Sequence, residues 1–230
     1  MKYQHLFFDL DRTLWDFDAN SSMALKRIYK TYKLEEYYQS PEEFLKIYNH
    51  HNDLLWDTYR KGQIAKADLR IKRFARTLEE KGITDTELAY KVGEEYMDIT
   101  PRLNMLAPNT FKILDYLQER NYKLYILTNG FISTQEKKMK NSGLSTYFLK
   151  IFSSEELGVN KPEAGFFHWA VSSIHAAKKD CLMIGDDLEV DVRGAMNYGI
   201  DAVWFTQESS ETDFQPSYVI SDLMELRSFL

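Results

Sequence analysis

The second half of the chain alternates between short apolar runs and amphipathic stretches, and this alternation restricts the fold more than any other feature. The apolar runs, which predict strands, are 123–127, 150–153, 181–184, 202–205 and 218–220. The amphipathic stretches, which predict helices, are 110–120, 133–142, 163–175, 189–198 and 222–229. Strands that alternate with helices in this way predict a parallel sheet with helices on both faces.

One further strand is predicted far from the others, at the beginning of the chain. The apolar run His5-Leu6-Phe7-Phe8 ends at Asp9 and is typical of a buried strand. Residues 16–104 contain no convincing strand, and their apolar residues recur at helical spacing, with a helix start predicted at Ser40-Pro41. We therefore predict an α/β domain that is interrupted, after its first strand, by an all-helical insert.

Composition excludes several classes of protein. The 230 residues carry a net charge of -6, and no basic stripe typical of a nucleic-acid binder is evident. No segment approaches the roughly 18–20 consecutive apolar residues that a membrane-spanning helix needs. Cys181 is the only cysteine, and the N-terminus lacks the pattern of a secretory signal. We expect a cytoplasmic protein that binds neither a nucleic-acid polymer nor a membrane, and the sequence leaves its oligomeric state open.

Polar residues that could perform chemistry come directly after the predicted strands or just before a helix. In open α/β sheets, ligands bind beyond the carboxyl ends of the strands, so these residues are expected along one edge. They are Asp9, Asp11 and Thr13, then Thr128, Asn129 and Gly130, then Lys161, and finally Gly185, Asp186, Asp187 and Asp191. Each segment alone is weak evidence, and it is their joint placement that predicts a site.

This set of side chains is suited to phosphoryl transfer. Crowded carboxylates need a cation to remain ionised together, and hard oxygen ligands without His or Cys favour Mg²⁺. One carboxylate can attack phosphorus to form an aspartyl-phosphate, while a second protonates the leaving oxygen and later deprotonates water. A lysine, a hydroxyl, an amide and backbone N–H groups can hold the phosphoryl oxygens.

The runs at 9–13, 128–129, 161–162 and 185–191 resemble, in order, the four motifs of the haloacid dehalogenase-like hydrolases. The helical insert resembles the cap of that superfamily. The resemblance implies a three-layer, Rossmann-like α/β core made of residues 1–15 and 105–230, with an all-α cap of residues 16–104. Arg12 occupies a position where glycine often occurs in relatives, and we interpret it as a tolerated variation.

The resemblance also implies a role for each motif residue. Asp9 would be the nucleophile and Asp11 the general acid and base. Magnesium would be bound by Asp9, the backbone carbonyl of Asp11, and Asp186. The residues implied in phosphate binding are Thr128, Asn129, Gly130 and Lys161. The residues implied to support the metal-binding and phosphate-binding residues, without binding these ligands directly, are Thr13, Asp187 and Asp191.

Two further stretches, 14–20 and 55–64, are similar to the noncanonical pyrimidine 5′-nucleotidases, a subgroup that cleaves nucleoside monophosphates. The similarity implies a nucleoside 5′-monophosphate as substrate, with the cap closing over it and excluding water. Trp15 and Phe17 follow the first motif, and Arg60 and Lys66 flank the turn at Gly62. We expect substrate contacts from among these four residues.

Other functions use the same side chains. A sugar-phosphate phosphatase or a phosphomutase needs the same two aspartates, and product analysis would separate these from a nucleotidase. A non-catalytic phospho-receiver switch also groups acids, a hydroxyl and a lysine at a sheet edge. A receiver has no large helical insert and carries its phospho-acceptor after a later strand, so this sequence speaks against it.

Overall fold

The computed structural model describes residues 2–207 and 213–230, and Met1 and residues 208–212, which fall within the predicted core-domain segments, lie outside the described residues. The chain divides into two compact units. The first is built from residues 1–17 and 104–230, and the second from residues 18–103.

The chain begins with strand β1 (His5–Phe8), which is followed by a helical stretch. Between residues 17 and 103, all of which are described, the α-helices are α1 (Phe17–Thr31), α2 (Pro41–Arg60), α3 (Lys66–Glu79) and α4 (Thr86–Ile99). Ser40 caps α2 by accepting a hydrogen bond from the backbone N–H of Glu43, and Pro41 occupies the first helical position. Short 3₁₀ turns occur at Leu34–Glu36 and Thr100–Arg102.

Strands and helices then alternate. The α-helices are α5 (Thr110–Glu119), α6 (Ile132–Ser142), α7 (Ser154–Leu157), α8 (Ala164–Ser173) and α9 (Gly194–Tyr198). The strands are β2 (Lys123–Thr128), β3 (Lys150–Ser153), β4 (Cys181–Gly185), β5 (Asp201–Phe205) and β6 (Tyr218–Ile220). Further 3₁₀ turns are Leu144–Thr146, Lys178–Asp180 and Leu223–Ser228.

The described strands form one parallel sheet in the order β3-β2-β1-β4-β5-β6. Phe8 at the end of β1 pairs with Ile126 on one side and Ile184 on the other, so these three strands end together. The chain winds outward from β1 in both directions, which places the topological switch point between β1 and β4. The predicted α/β class with a parallel sheet is confirmed.

Each unit has its own apolar core. On one face of the sheet, Phe7, Leu127 and Met183 pack with Phe166 and Phe167 of α8. Leu6 and Phe8, which alternate with Phe7 along β1, are also fully buried, as expected for a sheet covered on both faces. The core of the helical unit is lined by aromatic and aliphatic side chains, which include Tyr29, Tyr38, Phe44, Tyr48, Phe74, Val92 and Tyr96.

Two predicted helices differ in type from the sequence expectation. The stretch 189–198 begins with a π-helical turn, Leu188–Arg193, before α9, and the carboxylate of Asp187 caps this turn by accepting two backbone N–H bonds. The stretch 222–229 is a 3₁₀ helix, Leu223–Ser228, rather than an α-helix; Asp222 and Glu225 close its first turn as a capping box.

Within the described residues, no helix is both long and apolar enough to span a membrane.

Candidate active site

The loop after β1 places Asp9 at the switch point of the sheet. The backbone N–H of Asp9 donates to the carbonyl of Ile184 at 2.9 Å, so Asp9 continues the pairing between β1 and β4. The loop then turns back tightly, with the N–H of Trp15 bonded to Leu10 and the N–H of Arg12 bonded to Trp15. Arg12 has φ 67°, in the left-handed region, which explains in backbone terms why glycine suits this position.

Lys161 lies at the centre of the site. Its ammonium donates to Oδ1 of Asp9 at 2.6 Å, to Oδ1 of Asp191 at 2.6 Å, and to the carbonyl of Leu127 at 2.8 Å. The residue is only 1% exposed, and its three N–H donors therefore have three protein acceptors. Lys161 was predicted to bind phosphate, and that role stays a prediction.

The side chain of Asn129 holds the backbone of Lys161 in place. Its Nδ2 donates to the carbonyl of Lys161 at 3.0 Å, and its Oδ1 accepts from the N–H of Lys161 at 2.8 Å. Because this amide bonds both the N–H and the carbonyl of Lys161, it holds that backbone segment as a neighbouring strand would. Asn129 was predicted to bind phosphate, and in this structure its amide is engaged in positioning the lysine.

Three aspartates that follow β4 form the acidic side of the site. Oδ1 of Asp186 accepts from the buried hydroxyl of Thr13 at 3.1 Å. Oδ2 of Asp191 accepts from the N–H of Asp187 at 3.3 Å, while the carboxylate of Asp187 itself caps the following turn. A Cβ added to Gly185 would lie 2.4 Å from Oδ2 of Asp191, so only glycine allows this close approach.

The pKa values of these acids reflect burial and mutual repulsion. Burial, followed by the charge of Asp191, raises the pKa of Asp186 to about 7. Burial also raises the pKa of Asp9 and of Asp191, and Lys161 opposes the shift at both. For Lys161, burial disfavours the ammonium, but Asp191 and Asp9 outweigh it and raise the pKa of the lysine. The site therefore contains more negative charge than Lys161 alone balances.

The carboxylates of Asp9, Asp186 and Asp191 each offer an oxygen, and these oxygens lie within 4.8 Å of one another. Lys161 and the N–H of Asp187 bond both oxygens of Asp191. Lys161 bonds Oδ1 of Asp9, and the hydroxyl of Thr13 bonds Oδ1 of Asp186. Because both oxygens of Asp191 are bonded within the protein, the carboxylates of Asp9 and Asp186 are the ones of this group better placed for a cation.

Thr128 ends β2 with its hydroxyl held by two donors. Its Oγ1 accepts from the N–H of Gly130 and from Nε2 of Gln135, each at 2.9 Å. Because the oxygen is the acceptor in both bonds, the hydroxyl proton of Thr128 is its remaining donor. A Cβ on Gly130 would lie 2.0 Å from Nε2 of Gln135, so a larger residue here would displace the end of the Gln135 side chain.

Sequence reasoning missed two residues that contact Asp11. Nε2 of Gln135 donates to Oδ2 of Asp11 at 2.9 Å, and the ammonium of Lys138 donates to Oδ1 of Asp11 at 2.6 Å. Both lie on α6 and are buried, at 1% and 4% exposure. A signal was present: Gln135 and Lys138 share the inward face of α6 with Met139 and Ser142, where apolar residues are expected.

The remaining predicted site residues are distributed as follows. The predicted role of the backbone carbonyl of Asp11 in metal binding stays a prediction. Trp15 is fully buried and Phe17 is half-buried, and the guanidinium of Arg12 lies 4.6 Å from the centre of the Phe17 ring. Arg60 is the last residue of α2 and Lys66 the first of α3, both within the helical unit.

Comparison with known proteins adds an independent line of observation. The sequence profile of a family described as haloacid dehalogenase-like hydrolase matches residues 6–205. Pyrimidine 5′-nucleotidase PynA of Streptococcus pneumoniae is 33% identical over 98% of this chain and 94% of its own length. Pyrimidine 5′-nucleotidase YjjG of Escherichia coli is 30% identical over 100% of this chain and 99% of its own length.

A solved structure is also similar along nearly the whole chain. The crystal structure of the HAD-hydrolase YfnB from Bacillus subtilis, bound to magnesium, superposes with a TM-score of 0.89 at 28% identity. The match covers 99% of this chain and 98% of that one. The similarity therefore includes both the α/β unit and the helical unit.

Proposed function

Because the chain belongs to the haloacid dehalogenase-like hydrolase family, we propose that it is a magnesium-dependent phosphatase acting on nucleoside 5′-monophosphates through an aspartyl-phosphate on Asp9. The observation that carries this proposal is the position of Asp9 at the switch point, ion-paired with Lys161 and grouped with Asp186. A carboxylate at this point can meet a ligand that enters beyond the strand ends.

The donor set fits a magnesium ion. The grouped ligands are carboxylate oxygens, which hard cations prefer, and the group contains neither His nor Cys among the described residues. The raised pKa of Asp9 and of Asp186 indicates that these buried acids lack sufficient positive charge. Asp9 and Asp186 would hold the ion, which supplies charge neutralisation between the carboxylates and the phosphoryl oxygens.

In the first half-reaction, the carboxylate of Asp9 attacks phosphorus while the bond from phosphorus to the leaving oxygen breaks. Asp11 transfers a proton to that oxygen and becomes a carboxylate. In the second, the Asp11 carboxylate takes a proton from water, whose oxygen attacks phosphorus, and the bond to Asp9 breaks. The charge of Lys161 beside Asp9 and the hydroxyl proton of Thr128 would stabilise the charge that spreads over the phosphoryl oxygens.

The substrate class rests on the relatives. Two proteins of 30% and 33% identity that match essentially the full chain are named pyrimidine 5′-nucleotidases. The magnesium in the YfnB crystal structure supports the proposed cofactor in the same way. Substrate contacts from Arg60 and Lys66 stay predictions.

A phosphate-release screen tests the proposal. Nucleoside 5′-monophosphates with pyrimidine and purine bases, and hexose and pentose phosphates, are incubated with the protein in Mg²⁺ or in EDTA. We expect release of inorganic phosphate from pyrimidine nucleotides in Mg²⁺ only. Isomerised sugar phosphate without free phosphate would support a phosphomutase, and turnover in EDTA would contradict the magnesium role.

A matched pair of carboxylate variants accompanies the screen. Asp9→Asn removes the nucleophile, and we expect no detectable turnover with the fold retained. Asp98→Asn removes an exposed carboxylate that pairs with Arg102 on the surface, where such pairs contribute little. Full activity in Asp9→Asn would refute the assignment of the nucleophile, and Asp98→Asn should be indistinguishable from the unaltered protein.

A further inference from the structure

We propose that Lys138, seated on the ring of Trp15, is a positioning residue that works with Gln135 to hold the carboxyl group of Asp11 for leaving-group protonation. The inference rests on the proposed phosphatase function and deepens it. It concerns residues outside the runs at 9–13, 128–129, 161–162 and 185–191 that resemble the family's motifs.

The carboxyl group of Asp11 is held at both oxygens. Lys138 bonds Oδ1 at 2.6 Å and Gln135 bonds Oδ2 at 2.9 Å. The two donors are three residues apart on α6, so they lie on the same helix face. This arrangement fixes both the position and the plane of the carboxyl group, which a single hydrogen bond would leave free to rotate.

The ammonium of Lys138 is itself fixed. It lies 4.2 Å from the centre of the Trp15 ring and 5.7 Å from that of Phe17, and the side chain is 5% exposed. A cation held over an aromatic face out of water is attracted more strongly than one at the surface. Trp15 reaches this position because the loop turns back on itself at Leu10, so the loop after β1 supplies both the acid and the aromatic ring.

The same helix links Asp11 to the predicted phosphate-binding residue Thr128. Nε2 of Gln135 donates to Oγ1 of Thr128 as well as to Asp11. The side chain that orients the acid therefore also orients a hydroxyl expected to bind the phosphoryl group. We infer that α6 sets the distance between the proton donor and the phosphoryl group, a distance on which transfer efficiency depends.

The positive charge of Lys138 also stabilises the negative charge that the reaction creates at Asp11. When the proton moves from Asp11 to the leaving oxygen, a carboxylate forms 2.6 Å from an existing ammonium. The ammonium gains no proton and loses none, and the same carboxylate then accepts a proton from water. The contact is thus strongest in the state between the two half-reactions, and Lys138 acts through Asp11 without touching the substrate.

Four variants and two substrates test the proposal. Lys138→Met removes the charge while keeping length, Lys138→Gln is a milder variant that keeps a donor, and Lys138→Arg keeps the charge. Lys137→Met is the matched control, because Lys137 is the exposed neighbour on the same helix. The substrates are p-nitrophenyl phosphate, whose leaving group needs little protonation, and phenyl phosphate, whose leaving group needs more.

Positioned general acids contribute about 10²–10⁴-fold to rate. We expect Lys138→Met to lower kcat for phenyl phosphate by about 100-fold, with KM changed less than about 3-fold and a loss at least about 10-fold smaller for p-nitrophenyl phosphate. Lys138→Gln should show the same split, Lys138→Arg should recover most of kcat, and Lys137→Met should match the unaltered protein.

The contrary outcomes are distinct. Equal losses on both substrates, a change in KM alone, or no loss would overturn the proposal, and far-UV circular dichroism identifies any variant that fails to fold. If Lys138→Met does not fold, Lys138→Gln decides by the same comparison. Failure of the unaltered protein to release phosphate from these two substrates and from every substrate of the phosphate-release screen refutes the proposed function instead, so the two failures are separate observations.

Discussion

Replacing Lys161 by methionine removes the only cation that directly contacts Asp9 and Asp191 among the described residues. The lysine and Asp191 are at least 98% buried, and Asp9 is 8% exposed. Leaving a buried charge without its partner costs about 3–5 kcal/mol. We expect Lys161→Met to lose about this much free energy of unfolding in EDTA at pH 8.

The loss should depend on pH in a defined direction. Burial already raises the pKa of Asp9 and of Asp191, and removing the ammonium takes away the group that opposes that rise. A carboxyl group with a higher pKa in the folded than in the unfolded protein binds protons on folding, so its contribution to stability falls as pH rises. Lys161→Met should therefore be less destabilised, relative to the unaltered protein, at pH 5 than at pH 8.

A double-mutant cycle with Asp191→Asn isolates the interaction. In the double variant, Asp9 is the only one of the two acids that remains, so the penalty for the missing lysine is smaller. Groups in one ion network couple by about 0.5–3 kcal/mol, and we expect the double variant to be more stable than additivity predicts by an amount in this range.

Urea unfolding, followed by circular dichroism and by tryptophan fluorescence, measures each free energy. Lys179→Met, at an exposed position, is the matched control and should change the free energy of unfolding by less than about 0.5 kcal/mol. A loss below about 1 kcal/mol for Lys161→Met at pH 8, or a coupling energy near zero, would refute the buried ion network.

Two further predictions concern glycine and metal. Gly185→Ala places a Cβ 2.4 Å from Oδ2 of Asp191 and should lower the free energy of unfolding in urea by about 1–3 kcal/mol. Gly165→Ala in α8, where the nearest atom to the added Cβ is 3.6 Å away, should raise it by about 0.5–1 kcal/mol. Equal effects of the two variants would contradict the steric reasoning. Because the pKa of Asp186 is about 7 and Mg²⁺ needs the carboxylate, calorimetric Mg²⁺ affinity should rise about tenfold from pH 6 to pH 8, and a flat profile would contradict the assignment.

The sheet was predictable because its signals are local. Each strand is a short apolar run, and the helices between strands leave a parallel arrangement as the consistent solution. Asp9, Thr128 and Asp186 follow directly from this, since residues after parallel strands meet at one edge. Helix type was less predictable, because apolar spacing in the sequence predicts a helix but does not distinguish the π turn at Leu188–Arg193 from an α-helical turn.

The partners of these residues could not be predicted from strand ends alone. Asn129 carries the expected chemistry for phosphate binding, but its amide is used by the backbone of Lys161, a contact across 32 positions of sequence. Gln135 and Lys138 lie more than 120 positions from Asp11. Their polar character on the inward face of α6 was visible, but only the packed structure identifies the carboxyl group they meet.

The covalent role of Asp9 can be tested directly by mass spectrometry. In Asp11→Asn, the first half-reaction with p-nitrophenyl phosphate can proceed because its leaving group needs little protonation, while the base for the second half-reaction is missing. After a rapid acid quench and proteolysis, we expect one phosphoryl group, sensitive to hydroxylamine, on the peptide containing Asp9, and none in Asp9→Asn/Asp11→Asn. Release of nitrophenol with no phosphorylated peptide, or a phosphoryl group on another residue, would contradict Asp9 as the nucleophile.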